Sequence, residues 1–253
     1  MYLVEHFFSI QGEGKYQGKS AIFLRFGLCN FECRGFLSKS KSPLTGEVLS
    51  GCDSLYSVDK KHFGESWQKI DNLEPLLEII DSYQRDLDYF PDIIITGGEP
   101  LLNFKNRVFY SLVEQLVLKY RVTVETNASI FIDFDKYSAY KNLIFAMSVK
   151  LENSKESFNK RVNPKAIEAL VKNSKDSFFK FVLDRDYIKE YQNSEIESIT
   201  KNFPNIDIFC MPCGDSIEEL NMHDKSIIEF CKNYNYLYSD RLHIRIYNRR
   251  KGV

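Results

Sequence analysis

No stretch of this chain approaches the roughly 18 consecutive apolar residues that a membrane-spanning helix needs. The opening residues, Met1-Tyr2-Leu3-Val4-Glu5-His6, carry neither a basic start nor an apolar core. They do not read as a signal peptide, so no membrane is expected and a cytoplasmic location is. An excess of charge of either sign is also missing. The chain has 34 basic and 35 acidic residues and a net charge of −1, which gives no reason to expect nucleic acid as a partner. No internal repeat is visible. The 253 residues, 43% of them hydrophobic, suffice to bury a sizeable core and suit one domain over 1–253 better than two. Cysteines number six, at 29, 33, 52, 210, 213 and 231, and in a reducing compartment they are not a disulfide framework.

Short apolar runs at 21–26, 93–96, 122–126, 143–149, 178–183, 206–211 and 242–246 read as strands, several of them continuous enough for a parallel sheet buried on both faces. Helical spacing predicts helices over 73–87 and 108–119. Asn163-Pro164 predicts a helix start before 165–173, and Ser216 with Glu219 forms a capping box for a helix ending near Tyr234. A helix over about 190–202 is weakly patterned. The β-α-β-α order predicts an α/β fold with a mostly parallel sheet whose right-handed crossovers curl it toward a partial barrel. The irregular stretch 34–51, rich in Ser, Pro and Gly, reads as a long loop.

That loop separates two cysteines of the set Cys29-x3-Cys33-x18-Cys52. Three thiolates leave one iron of a [4Fe–4S] cubane open to a small molecule, whereas a structural zinc site wants a fourth ligand. His62 and Asp53 are the nearby candidates, and the spacing alone leaves both readings open. Downstream, Ile93-Ile94-Ile95-Thr96-Gly97-Gly98-Glu99-Pro100 is an apolar strand ending in glycines and a carboxylate, where backbone can approach a ligand closely. Paired with the three-cysteine loop, it resembles the radical S-adenosylmethionine (SAM) superfamily.

Gln11-Gly12-Glu13-Gly14 ahead of the first predicted strand, Cys52-Asp53-Ser54, Glu125-Thr126-Asn127, Ser148-Val149-Lys150, Met211-Pro212 and Arg241-Leu242-His243 together resemble the 7-carboxy-7-deazaguanine synthase family. The resemblance spans about 7–252. It implies a radical SAM partial (β/α) barrel in which 34–51 is an insertion in the cluster loop, where relatives carry a compact Cys-x3-Cys-x2-Cys. It also implies conversion of 6-carboxy-5,6,7,8-tetrahydropterin to 7-carboxy-7-deazaguanine with loss of ammonia, in queuosine and deazapurine biosynthesis. In that chemistry a reduced cluster cleaves SAM, and the resulting 5′-deoxyadenosyl radical takes a hydrogen from the pterin.

By the same resemblance Cys29, Cys33 and Cys52 ligate the cluster. Gly98, Glu99, Ser148, Val149, Lys150, Met211 and Pro212 contact SAM, while Ile10, Gln11, Gly12, Glu13, Arg25, Thr96 and His243 contact substrate. Ser54 ligates Mg²⁺ where relatives carry threonine. An electron donor such as flavodoxin or ferredoxin and a homodimer are implied as well. Cys210-x2-Cys213 has no second pair to make another cluster, and the basic tail (Arg245, Arg249, Arg250, Lys251) reads as solvated surface. Two rivals remain: an activating enzyme that places a glycyl radical on a partner protein, and a non-enzymatic zinc or iron–sulfur module.

Overall fold

The computed structural model describes residues 1–250 and Gly252. In chain order, β1 (Tyr2–Ile10) and β2 (Ser20–Phe26) form an antiparallel pair. A small hairpin follows, β3 (Ser38–Lys41) and β4 (Val48–Gly51). Next come two single turns, α1 (Leu55–Val58) and α2 (Lys60–Phe63), and the short β5 (Gln68–Lys69). Strands and helices then alternate: α3 (Glu74–Gln84), β6 (Asp92–Gly97), α4 (Arg107–Leu116), β7 (Val122–Thr126) and β8 (Ile144–Met147). After these come α5 (Phe158–Arg161), α6 (Pro164–Asn173), β9 (Asp176–Leu183), α7 (Arg185–Tyr191) and α8 (Ser194–Thr200). The described chain finishes with β10 (Ile208–Pro212), α9 (Ile217–Tyr234), β11 (Leu237–Tyr238) and α10 (Leu242–Tyr247).

One sheet runs β11-β10-β9-β8-β7-β6-β2-β1-β5, parallel from β2 to β11 and antiparallel at β1 and β5. The mostly parallel α/β architecture expected from the sequence is therefore present.

Side chains alternate across this sheet, and its two faces are filled differently. Ile22, Leu24, Ile93, Ile95, Val124 and Phe145 face outward into the main core, against Leu76 and Ile80 of α3 and Phe109, Leu112 and Leu116 of α4. Burying such a side chain fully is worth about 1.5–3 kcal/mol, so this contact holds the helix layer on the sheet. On the inner face the starts of the strands are apolar: Phe23 and Ile94 pack with Phe7, and Ile144, Ala146, Phe178 and Phe209 pack with Tyr16. Two residues further along the same strands the inward positions become polar, at Arg25, Thr96, Ser148 and Lys180. An apolar layer below and a more polar chamber above follow from period-two alternation in these strands, with Val182 of β9 and Met211 of β10 the apolar positions that remain on the wall.

The expected caps are present. The Asn163 side chain accepts from Ala166 N, and that of Ser216 from Glu219 N, while the return bond of the expected capping box is shifted by one residue, Glu219 Oε2 accepting from Asp215 N at 2.7 Å.

Three expectations need correction, and one strand is additional to those expected. The segment 242–246 is helical, not a strand: β11 already occupies the sheet edge beside β10, and Leu242 N donates to Gly12 O, which starts a turn there. The helix expected over 190–202 divides into α7 and α8 at Gln192, whose φ of 49° is left-handed. The stretch 34–51 is a short 3-10 turn followed by the β3–β4 hairpin, closed by Ser42 N to Glu47 O (2.8 Å) and Gly46 N to Ser42 O (2.9 Å), not an irregular loop. The strand β1 has no continuous apolar run, because Glu5, His6 and Ser9 interrupt its apolar residues; an antiparallel strand beside the sheet edge tolerates this. Lys251 of the basic tail lies outside the described residues. Among the described residues no helix is long and apolar enough to cross a membrane.

Candidate functional site

At the C-terminal ends of the parallel strands lies a cavity of about 410 Å³, the edge where open α/β sheets bind ligands. Cys29, Cys33 and Cys52 all reach its wall, and all six cysteines are free thiols. Cys29 lies three residues past the end of β2. Phe31 N donates to its sulfur at 3.4 Å, and Asn30 beside it is clamped by Asn127 Nδ2 (2.9 Å) and Ser129 Oγ (2.8 Å). Glu156 accepts from the backbone N–H of Glu32 (2.6 Å) and Cys33 (3.0 Å). The buried Arg161 braces Glu156 in turn, donating from Nε to its carbonyl at 3.0 Å. Cys52 ends the hairpin insertion, so β3 and β4 carry the chain out and return it to the same wall.

Gly98 explains why two glycines follow β6. A Cβ there would lie 2.3 Å from Leu28 O and 2.9 Å from the Cys29 Cβ, so only glycine lets this turn pack against the cluster loop. Gly97, with φ of 153°, has Phe26 O where its Cβ would stand.

Burial pushes the Cys29 and Cys52 thiols up to about 12, helped by the charges of Glu99 and Asp53 respectively. It raises Cys33 as well. A nearby cationic iron reverses this balance, since thiolates are what a cluster binds. Among the described residues no three His, Cys, Asp or Glu side chains converge as the ligands of one ion do. Three thiolates that each take a separate iron of a cubane need not converge. His62 is off the wall, its Nδ1 paired with Ser42 Oγ at 3.0 Å, and Asp53 is held by Arg241 at 2.6 Å, so the fourth zinc ligand sought in the sequence is not supplied by either.

Ile10, Gln11, Gly12 and Glu13 bring the β1–β2 loop to the same cavity. Arg25 lies there with its Nε on Glu5 Oε1 (2.7 Å) and its guanidinium 5.7 Å from the Tyr56 ring centroid. Thr96 Oγ1 donates to Glu125 Oε2 at 2.9 Å. Lys150 Nζ donates to Ser148 Oγ at 2.9 Å, both on the wall, as is Met211. His243 comes from α10, and burial lowers its pKa, which leaves the imidazole neutral at pH 7. Ser54 is also on the wall, its Oγ donating to Asp53 Oδ1 at 3.2 Å.

Three side chains expected at the site are elsewhere. Glu99 is fully buried, accepting from Thr126 Oγ1 (2.8 Å), Leu101 N (3.0 Å) and Asn127 N (2.7 Å). Burial raises it to about 7 against these donors. It ties the β6 turn to the end of β7, so its carboxylate is spent inside the protein. Val149 sits in the main core, because alternation that turns Ser148 and Lys150 to the cavity turns Val149 away. Pro212 is likewise off the wall next to Met211.

What sequence reasoning missed is a buried ion chain. Glu125 Oε1 pairs with Lys180 (3.0 Å), Lys180 with Glu13 Oε2 (2.8 Å), Glu13 Oε1 with Arg241 Nε (2.8 Å), and Arg241 Nη2 with Asp53 Oδ2 (2.6 Å). Burial works against ionising Glu13 and Glu125, but Lys180, joined for Glu13 by Arg241, outweighs it and holds both below the usual carboxylate range. The one signal in the sequence was a lysine among phenylalanines, Phe178-Phe179-Lys180-Phe181, in a strand buried on both faces.

Residues 10–171 match the family described as a 4Fe-4S single cluster domain. A 7-carboxy-7-deazaguanine synthase of Halobacterium salinarum is 27% identical over 258 residues, covering 96% of this chain and 89% of that protein. One of Clostridium acetobutylicum is 30% identical over 189 residues, covering 74% and 66%. The fold is similar to the crystal structure of QueE from Escherichia coli, with a TM-score of 0.61 and 21% identity over 96% of this chain and 94% of that one.

Proposed function

The chain belongs to the 4Fe-4S single cluster domain family, and from that premise we propose that it is a radical SAM carbon–nitrogen lyase, converting 6-carboxy-5,6,7,8-tetrahydropterin to 7-carboxy-7-deazaguanine with loss of ammonia. The observation that carries this reading is one cavity lined by Cys29, Cys33 and Cys52 together with the Gln11-Gly12-Glu13 segment and Arg25. On this reading 1–253 is a single radical SAM domain with 34–51 as its cluster-loop insertion.

Bound at the three thiolates, the cluster with SAM supplies the one-electron chemistry that starts hydrogen abstraction. The protein's part is placement. Arg25 offers a planar fork to the pterin carboxylate, with Glu5 fixing its Nε. Ile10, Gln11 and Gly12 offer backbone and amide groups to the pyrimidine edge, with Glu13 and Thr96 beneath them and the neutral His243 alongside. Gly98 lets the methionine end of SAM approach the cluster loop, Ser148 and Lys150 meet its ribose and carboxylate, and Met211 packs beside them. Holding both partners in register is where such an active site gains rate. A reductant such as flavodoxin or ferredoxin and a second copy of the chain are the partners this reading implies, in the cytoplasm, with no nucleic acid.

Mg²⁺ belongs to the same proposal. Ser54 Oγ supplies a hard, neutral ligand, and a cation there replaces its hydrogen bond to Asp53 Oδ1 while Asp53 Oδ2 stays with Arg241. Ser54→Ala is expected to retain its iron and basal SAM cleavage but to lose stimulation by Mg²⁺ in a titration of product formation. Unchanged stimulation removes Ser54 from the metal site.

Anaerobic incubation of the reconstituted protein with SAM, reductant and the carboxypterin tests the whole reading. The expected product has the mass of 7-carboxy-7-deazaguanine. SAM cleavage with no change in the pterin would point to another radical SAM substrate.

A further inference from the structure

Arg241 has a side chain only 9% exposed, and its guanidinium joins three separate segments. Nε donates to Glu13 Oε1 (2.8 Å) in the β1–β2 loop, Nη2 to Asp53 Oδ2 (2.6 Å) beside Cys52, and Nη1 to the Gly214 carbonyl after β10. Each of these segments ends on the cavity wall. Glu13 passes the linkage to Lys180 and Glu125, and Glu125 takes Thr96 Oγ1. One end of this chain of bonds is thus the residue following the third cluster cysteine, and the other is the wall assigned to substrate.

We propose that Arg241 is a positioning residue that sets the spacing between the Cys52-Asp53-Ser54 segment and the substrate wall. This rests on the function proposed above and deepens it.

Two features of the side chain support the role. A guanidinium holds several acceptors in one plane at fixed angles, which an ammonium cannot do. It also stands between two carboxylates, the buried Glu13 and the partly exposed Asp53, that otherwise repel each other. Arg241 therefore acts through its neighbours. Without it each segment keeps its own backbone bonds, such as Leu55 N to Cys52 O (3.1 Å) and Gln11 N to Lys19 O (2.7 Å), but the two are no longer held to each other.

The test uses the reconstituted holoenzyme and variants Arg241→Met and Arg241→Lys. Four quantities are measured: bound iron, midpoint of thermal unfolding, amide hydrogen exchange, and product formed per SAM cleaved. For Arg241→Met we expect wild-type iron, faster exchange in both 11–14 and 52–58, and a product-to-cleavage ratio at least about tenfold lower, the loss expected when reacting groups are misplaced. Arg241→Lys should fall between this and the wild type.

Product and SAM cleavage falling in step with lost iron or a lowered unfolding midpoint in both variants would mean Arg241 only supports the fold, and overturns the proposal. An unchanged ratio with unchanged exchange overturns it as well. Should Arg241→Met not fold, Arg241→Lys and Asp53→Asn carry the same comparison. A wild type that cleaves SAM but makes no deazaguanine product defeats the functional reading instead, and does so before any variant is compared.

Discussion

Cys33→Ala is expected to reduce SAM cleavage to background while the protein stays folded. The thiol is buried at 4% exposure on the cavity wall, at a residue whose left-handed φ of 47° turns the chain from the cluster loop into the insertion. Alanine keeps the Cβ, and Glu156 still accepts from the backbone N–H, so the loop retains its shape. Only the ligand is lost. The stability cost should lie in the usual range of about 0.5–3 kcal/mol, by urea unfolding of the apo-protein. Iron content and the spectrum of the reduced cluster report the chemistry. Cys29→Ala and Cys52→Ala should behave alike, whereas Cys210→Ala should not: that thiol pairs with Cys231 behind β10, away from the cavity. Full iron in Cys33→Ala with loss of iron in Cys213→Ala would move that ligand from Cys33 to Cys213, which also reaches the wall.

Lys180→Met should be the most destabilising single change at the site. Its side chain is 6% exposed and its ammonium is held between Glu13 and Glu125, so methionine leaves two carboxylates facing each other without a counter-charge between them. Breaking a buried pair in this way costs about 3–5 kcal/mol. Other charges facing this group are Arg241 from the C-terminal side, Asp53 from the cluster loop and Arg25 from β2, and the titratable His243 stands beside them in its neutral form. The pH dependence has a definite sign. In the wild type the pKa values of Glu13 and Glu125 lie below the ordinary 4.5, so their contribution to stability is present above that pH and is lost as pH falls through the depressed values. Without Lys180 their values climb, and protonation relieves the repulsion. The penalty should therefore be largest at and above pH 7 and shrink toward pH 5, measured by urea unfolding at both. A penalty independent of pH would mean the cost comes from packing and not from the stranded charges.

Wherever local pattern and environment agreed, the sequence was enough. The strand β7 lies at 122–126 as read, and β2, β6 and β9 are each within two residues of their expected bounds, because continuous apolar runs between helices have few alternatives. The caps at Asn163 and Ser216 hold because a side-chain oxygen meeting an orphan N–H is a matter of three or four residues. The three cysteines and the Gly97-Gly98 turn were legible for a similar reason: their chemistry leaves a spacing in the chain.

Tertiary structure alone decided where side chains point and what long-range contacts impose. The segment 242–246 alternates like a strand but coils into a helix, since the sheet edge beside it is taken and Gly12, 230 residues earlier, accepts the bond that begins its turn. Glu99 belongs to the motif, yet its carboxylate is consumed by three interior donors. Val149 and Pro212 follow their strands' alternation away from the cavity. The ion chain from Glu125 to Asp53 joins residues from five distant parts of the chain, and no local pattern records it. The sequence by itself determined the elements and the chemistry they carry, because hydrophobic periodicity, capping and ligand spacing act over a few residues. Which carboxylates face the cavity, and what neutralises them there, was decided only on folding, when burial made every unpaired charge costly and drew together the partners able to pair it.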